Sequence, residues 1–260
     1  MNTLENVRLT VDGAIATVTI DNPPVNALSV QTMAELHEIL TEIEALPEVK
    51  VVLLRGNSKL FVAGADLNEL LKTKTKKEAY DMSKLGHVLM DRIENYCIPV
   101  IALVEGACLG GGMELAMACH IRIAKENAVF GLPEITLGIF PGAGGTQRLP
   151  RLIESSRAIE MILTGRRISS EEAKSLGLVL EVYPENTFEQ EVAKLTSSIA
   201  EKGKIAIIAA LKAIQTGLHR SEQEGYESEA EGFGLCCTTY DKEEGISAFL
   251  NKRTAKFENR

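Results

Sequence analysis

The sequence contains no C-x-x-C pair, no excess of basic residues and no uninterrupted apolar run long enough to cross a membrane. Its five cysteines, Cys97, Cys108, Cys119, Cys236 and Cys237, mostly lie in apolar or helical patterns. They read as reduced cytosolic thiols, and 260 residues can bury a core without disulfide staples. Lys and Arg number 28 against 36 Asp and Glu, a net charge of −8, so the fold as a whole repels nucleic acid and anionic membrane. The local exception is LKTKTKK, with Lys72, Lys74, Lys76 and Lys77, which reads as a solvated helix start in preference to an anion or RNA patch. The N-terminal residues have no basic stretch leading into an apolar one, so no signal peptide is visible. The most apolar window, 101–119, is broken by two glutamates and four glycines, which argues against a transmembrane span. A soluble cytoplasmic protein is the expectation.

Alternating residues on both sides of Asp12-Gly13 predict an opening hairpin. Ser29 is a suitable N-cap for a helix whose apolar positions are Met33, Leu36, Ile39, Leu40, Ile43 and Leu46. VKVVLLRG (49–56) and PVIALVEG (99–106) have the continuous apolar character of strands buried on both faces, with a helix over 76–96 between them. Further strands are expected at 121–124, 128–131 and 178–183, and helices at 155–165 and 169–177, the latter with a Ser169/Glu172 capping box. Beyond about Phe188 only helical patterns remain: 188–202, 204–217, 221–239 and 242–252. The chain therefore reads as an α/β core followed by a helical C-terminal region.

Two glycine-rich segments, GACLGGGMEL and PGAGGTQRL, lack the ending of a P-loop and the context of a dinucleotide fingerprint. Glycine has another use, which is to let the backbone itself approach a ligand. Gly110, Gly111 and Gly112 follow a buried strand and open a helix, where N–H groups point outward without intrahelical partners and can hold an oxyanion. FVAGADL (61–67) has the same strand-to-helix setting, and Ala65 N–H is a candidate second donor. Within MELAMAC, Glu114 is surrounded by apolar residues; a buried carboxylate needs a partner or a task. Glu134, in GLPEITLG, has similar surroundings.

FVAGADL, PVIALVEGACLGGGMELAMAC, FGLPEITLGIFPGAGGTQRLPRL and AIEMILTGRRISSEEAKSLGLV, in that order, resemble the successive blocks of the enoyl-CoA hydratase/isomerase (crotonase) family. The resemblance runs from the hairpin to the C-terminal EGISAFLNKR. It implies an α/β, crotonase-like spiral of ββα repeats over residues 1–187, carrying the acyl-CoA site. Residues 188–260 would form a helical region that builds homotrimers, commonly paired into hexamers. By the same resemblance Ala65 and Gly111 supply the N–H groups of an oxyanion hole for the thioester carbonyl. Glu114 activates water at the β-carbon, Glu134 serves the α-proton, and Gly142 offers an N–H that helps to fix the water. Val25, Ala27, Ala63, Asp66 and Leu67 border CoA. Phe249 and Lys252 fall where the family's tail reaches a CoA site, sometimes a neighbour's, with helix packing and a solvated lysine as an equal reading.

The implied reaction is hydration of trans-2-enoyl-CoA, with the CoA thioester as substrate and no cofactor. Hydration of 3-methylglutaconyl-CoA, enoyl-CoA isomerisation and an RNA-binding homologue are the alternatives. His120 stands where many relatives have aspartate, and reads as a structural histidine at a helix end. None of the four histidines has metal-site spacing.

Overall fold

The computed structural model describes residues 4–57 and 60–260. Strands β1 (Val7–Asp12) and β2 (Ile15–Ile20) form the expected antiparallel hairpin, Asp12 opposite Ile15, across a two-residue loop in which Gly13 takes a φ of 54°. Helix α1 (Val30–Glu44) starts at Ser29, whose hydroxyl accepts from Thr32 N–H, and buries Leu36, Ile39, Leu40 and Ile43.

Three units of the same kind follow. The first comprises β3 (Val51–Arg55), β4 (Leu60–Val62), α2 (Leu67–Lys72) and α3 (Lys76–Glu94). The second comprises β5 (Val100–Val104), β6 (Ala107–Leu109) and α4 (Gly111–Ala118). The third comprises β7 (Ile121–Lys125), β8 (Val129–Gly131), a 3-10 turn over Pro133–Leu137, α5 (Gly145–Leu152) and α6 (Ser155–Thr164). The first strand of each unit joins a six-stranded sheet and the second a four-stranded one, so the chain winds as a spiral of ββα turns. Strand β9 (Arg167–Ser169) closes the smaller sheet antiparallel to β8. After α7 (Ser170–Ser175), β10 (Glu181–Tyr183) pairs in parallel with β7 at the edge of the larger sheet.

The continuous apolar runs at β3 and β5 are explained by cover on both faces. One face joins the main core. On the other, Val51, Leu53, Ile101, Leu103 and Ile123 pack with Phe188 and Val192 of α8 (Phe188–Ala200). Helices α9 (Lys204–His219) and α10 (Glu222–Cys237) pack on each other, and α11 (Tyr240–Leu250) follows. The C-terminal tail returns to α11, where the Asp241 carboxylate accepts from Glu258 and Asn259 N–H at 2.7 and 3.0 Å.

Two local expectations differ from the structure. The strand predicted over 178–183 shrinks to its last three residues, because Leu178 and Val179 N–H donate to Ala173 O at the end of α7 and Leu178 O accepts from Arg122 Nε. At Ser169 only half of the capping box forms: Ser169 Oγ accepts from Glu172 N–H, but the Glu172 carboxylate turns to Arg166 at 2.9 Å.

Candidate active site

Gly110 turns the chain from β6 into α4 with φ 54° and ψ −127°. A side chain is excluded there on two counts, since a Cβ would also stand 3.1 Å from Glu134 Oε1. At Gly112 a Cβ would lie 2.1 Å from Val62 O, so α4 sits directly on β4. Every residue of α4 is buried. Gly111 is its first residue, and the N–H of that position has no acceptor within a helix.

The second loop comes alongside. Leu28 N–H donates to Gly64 O at 2.8 Å, which places Leu28 beside Ala65. Ala65 N is 3.4 Å from the position a Cβ on Gly111 would take. Among the described residues Ala65 N–H meets no acceptor. Two N–H groups without acceptors among the described residues thus stand on adjacent loops, an arrangement chemically able to receive an oxyanion. Val25 and Ala27 flank Asn26, which is fully buried with φ 55° and donates through Nδ2 to Ile20 O and Phe61 O. Ala63 lies between β4 and Gly64. Asp66 caps α2, its carboxylate accepting from Asn68 N–H at 2.7 Å, and exposed Leu67 opens that helix. The segment 25–28, the loop 63–66 and the start of α4 are therefore neighbours.

The two glutamates have contrasting surroundings. Glu114 is buried, and its Oε1 accepts from Ala143 and Gly145 N–H, both at 2.8 Å. Burial raises its pKa, while the two N–H donors and the positive charge of Arg148 act in the opposite direction. Glu134 stands in the 3-10 turn. Its Oε2 is buried without a hydrogen-bond partner among the described residues. Desolvation first, and then the negative charge of Glu114, push Glu134 up to about 7, against a lowering by its own backbone N–H. One carboxylate is thus solvated by main-chain donors, and the other holds a proton into the neutral range.

This has a consequence for stability. Because Glu134 is raised above its unfolded value, the native state binds more protons between about 4.5 and 7, and stability falls as pH rises through that window. Glu134→Gln removes the penalty. Its melting temperature at pH 8 should exceed that of the parent by several degrees, on the order of 1–3 kcal/mol, with the difference vanishing near pH 4. Equal melting temperatures at both pH values would contradict the desolvation of Glu134.

The turn that serves Glu114 is itself held from α3 and α5. Ser83 Oγ donates to Gly142 O at 2.6 Å, and Arg148 Nη1 donates to Ala143 O at 3.3 Å. Gly142 lies next to the donor Ala143. Ser83, Ala143, Gly145 and Arg148 were not found from sequence: the first stands inside an ordinary helical pattern, and the glycine cluster did not disclose which N–H groups face inward.

A model of the enoyl-CoA hydratase/isomerase family matches residues 10–260. The chain is 41% identical to a probable enoyl-CoA hydratase of Bacillus subtilis over 96% of its own length and 98% of the relative's. It is 40% identical to a crotonyl-CoA hydratase of Syntrophomonas wolfei, over 97% and 98%. The crystal structure of an enoyl-CoA hydratase from Bacillus anthracis superposes with a TM-score of 0.93 at 39% identity, covering 98% of this chain and all of that one. The chain belongs to the enoyl-CoA hydratase/isomerase family.

The remaining family positions are more dispersed. Phe249, 82% exposed on α11, and Lys252, just beyond it with φ 50°, have no hydrogen bond or ion pair to the loops above among the described residues. His120 is tied into the frame. Its Nδ1 accepts from Val100 N–H at 2.8 Å, which puts the proton on Nε2, 3.2 Å from Glu94 O. Gln215 of α9 reaches the same carbonyl. Burial depresses the ring to about 4, so it is neutral at physiological pH. This imidazole joins the end of α3, the start of β5 and α9.

Proposed function

We propose that the chain hydrates trans-2-enoyl-CoA thioesters to 3-hydroxyacyl-CoA as a hydro-lyase. The observation that carries this reading is the pair Glu114 and Glu134, buried close enough to influence each other and adjacent to the Ala65 and Gly111 N–H groups. Addition of water to a 2,3-double bond conjugated with a thioester moves negative charge to the carbonyl oxygen. The two fixed N–H donors stabilise that enolate-like state, an effect worth roughly 100- to 1000-fold per donor.

In this reading Glu114 accepts a proton from the water whose oxygen bonds to the β-carbon, and Gly142 N–H helps to place that water. The electron pair of the double bond passes through the α-carbon to the thioester oxygen. Glu134, protonated near neutrality, then delivers a proton to the α-carbon as the carbonyl re-forms. Return of the proton from Glu114 to Glu134 through solvent resets the pair, and no cofactor is needed. Val25, Ala27, Ala63, Asp66 and Leu67 border the CoA moiety. Phe249 and Lys252 lie on the C-terminal segment that, by the family resemblance, can reach a CoA site, this chain's or a neighbour's.

Isomerases of the family keep the oxyanion hole while changing the acid-base residues, so the presence of both glutamates favours hydration. The crotonyl-CoA hydratase among the relatives supports a short acyl chain over a branched 3-methylglutaconyl group. A homotrimer or hexamer belongs to the same reading, supported by a groove of about 570 Å3 between α9 and α10 where Ala210, Ala213, Ile214, Leu218 and Phe233 meet solvent. So does a cytoplasmic location, supported by cysteines that remain unpaired.

The decisive experiment follows loss of the conjugated-thioester absorbance with crotonyl-CoA, longer and branched enoyl-CoA substrates. Turnover should be fastest with the short chain. No hydration of any of them would sink the proposal. Light scattering should give three or six times the chain mass. A gel shift at low salt decides the RNA alternative; the acidic balance predicts no binding.

A further inference from the structure

Arg148 is a charged side chain only 9% exposed, and neither the oxyanion pocket nor the glutamate pair explains why it is there. It stands on α5, three residues beyond Gly145. Its guanidinium backs onto the turn whose front presents the Ala143 and Gly145 N–H groups to Glu114. Nη1 donates to Ala143 O and would be 2.2 Å from a Cβ on Gly144, so the chain at that point leaves just enough room for it. Nε and Nη2 donate to Glu94 Oε2 at 3.1 and 2.5 Å, and Nη2 also to Asp91 Oδ1 at 2.8 Å. Two carboxylates of α3 thus fix the orientation of one planar cation, which a lysine could match only as a point charge.

We propose that Arg148 is a positioning residue for the hydration: clamped by Asp91 and Glu94, it braces the 143–145 turn against Glu114 and supplies the positive charge that favours that carboxylate as the proton acceptor. The inference rests on the hydratase reading of the site and deepens it. The other titratable or charged groups around the cluster do not supply this charge. Glu134, from the 3-10 turn, is a carboxyl and brings no positive charge. Arg122 is occupied at the far end of α4, on the Ala116 and Cys119 carbonyls. His120 is neutral, and His219 of α9 lies 3.4 Å from Glu94 Oε1, on the side of Glu94 away from Arg148. Burial of Glu114 disfavours its ionised form, and Arg148 is the cation that opposes this.

Two readouts test the assignment. In protein labelled with 13C at glutamate Cδ, the Glu114 signal is identified by its loss in Glu114→Gln, and its titration is followed by NMR. Arg148→Met should move that titration to higher pH, while Arg148→Lys should leave it close to the parent. In the hydration assay Arg148→Met should lower kcat/KM for crotonyl-CoA roughly 10-fold or more at pH 7. Its acidic limb should shift upward, and KM should change less than kcat.

An unmoved Glu114 titration in Arg148→Met overturns the proposal, whatever the activity. If the parent hydrates no enoyl-CoA, the hydratase reading fails while the NMR titration still decides the role of Arg148. Should Arg148→Met not fold, Arg148→Gln removes the charge while keeping an N–H donor for the 143–145 turn. Its Glu114 titration should also move to higher pH, and an unmoved titration overturns the proposal.

Discussion

Glu114→Gln and Glu134→Gln should each reduce crotonyl-CoA hydration by roughly 100- to 10,000-fold, the range for loss of one general acid or base. Both substitutions are nearly isosteric. At position 114 the amide oxygen can take the place of Oε1 and accept from Ala143 and Gly145 N–H, so the turn that surrounds it survives. What is lost is the ability to take a proton from water. At position 134 the amide replaces a carboxyl whose Oε2 has no hydrogen-bond partner among the described residues, and no charge has to be desolvated there at alkaline pH. The expected signature is therefore inactive protein with native circular dichroism and native affinity for an unreactive acyl-CoA. The parent enzyme should also lose kcat as pH rises above about 7, since Glu134 then sheds the proton that the proposed mechanism has it donate. The two groups act as a coupled pair, so the profile reports macroscopic values. Near-parental turnover in either variant would remove that residue from the mechanism.

Gly112→Ala should be the most damaging methyl group that can be added near the site. The Cβ would fall 2.1 Å from Val62 O and 2.7 Å from Val62 C, atoms of the β4 backbone that cannot rotate away. Helix α4 has to lift, and strain of this kind costs about 1–3 kcal/mol or more. The lift also carries Gly111 N–H away from Ala65 N–H. A misplacement near 1 Å can cost on the order of 100-fold in rate. Thermal melting and kcat should therefore fall together, whereas the glutamate variants lose activity alone. A Gly112→Ala enzyme with parental kcat would show that the two N–H groups need not keep their present spacing.

Much of this was legible in the sequence because the relevant signals are local. The hairpin, the Ser29 cap and the four C-terminal helices followed from periodicity and capping residues. Buried strands β3 and β5 announced themselves as apolar runs because α8 covers the face that would otherwise be wet. Strands β4, β6 and β9 are three residues long and carry little pattern of their own, although β8, equally short, is expected at 128–131. Helix α5 begins in glycines and contains Pro150, which hid it from propensity.

The site divides in the same way. Glu114 stood out as a charge in an apolar stretch, and the resemblance paired it with Glu134. The donors to Glu114 were not legible, because an N–H group belongs to every residue but proline and only the folded path shows which ones converge. Arg148 was hidden for another reason: its carboxylate partners lie 54 and 57 positions away, on α3.

The donors at Ala65, Gly111, Ala143 and Gly145 are all main-chain groups, and this bears on how such an enzyme diversifies. Replacement of a neighbouring side chain leaves an amide hydrogen where it was, provided that the backbone keeps its course. The acyl-binding walls can therefore drift in sequence, adopting new chain lengths or branches, while the electrostatic apparatus beneath them is inherited intact. The constraint falls on the close approach at Gly112 and on the glutamate pair, so selection for new substrates and selection for the reaction act on different residues.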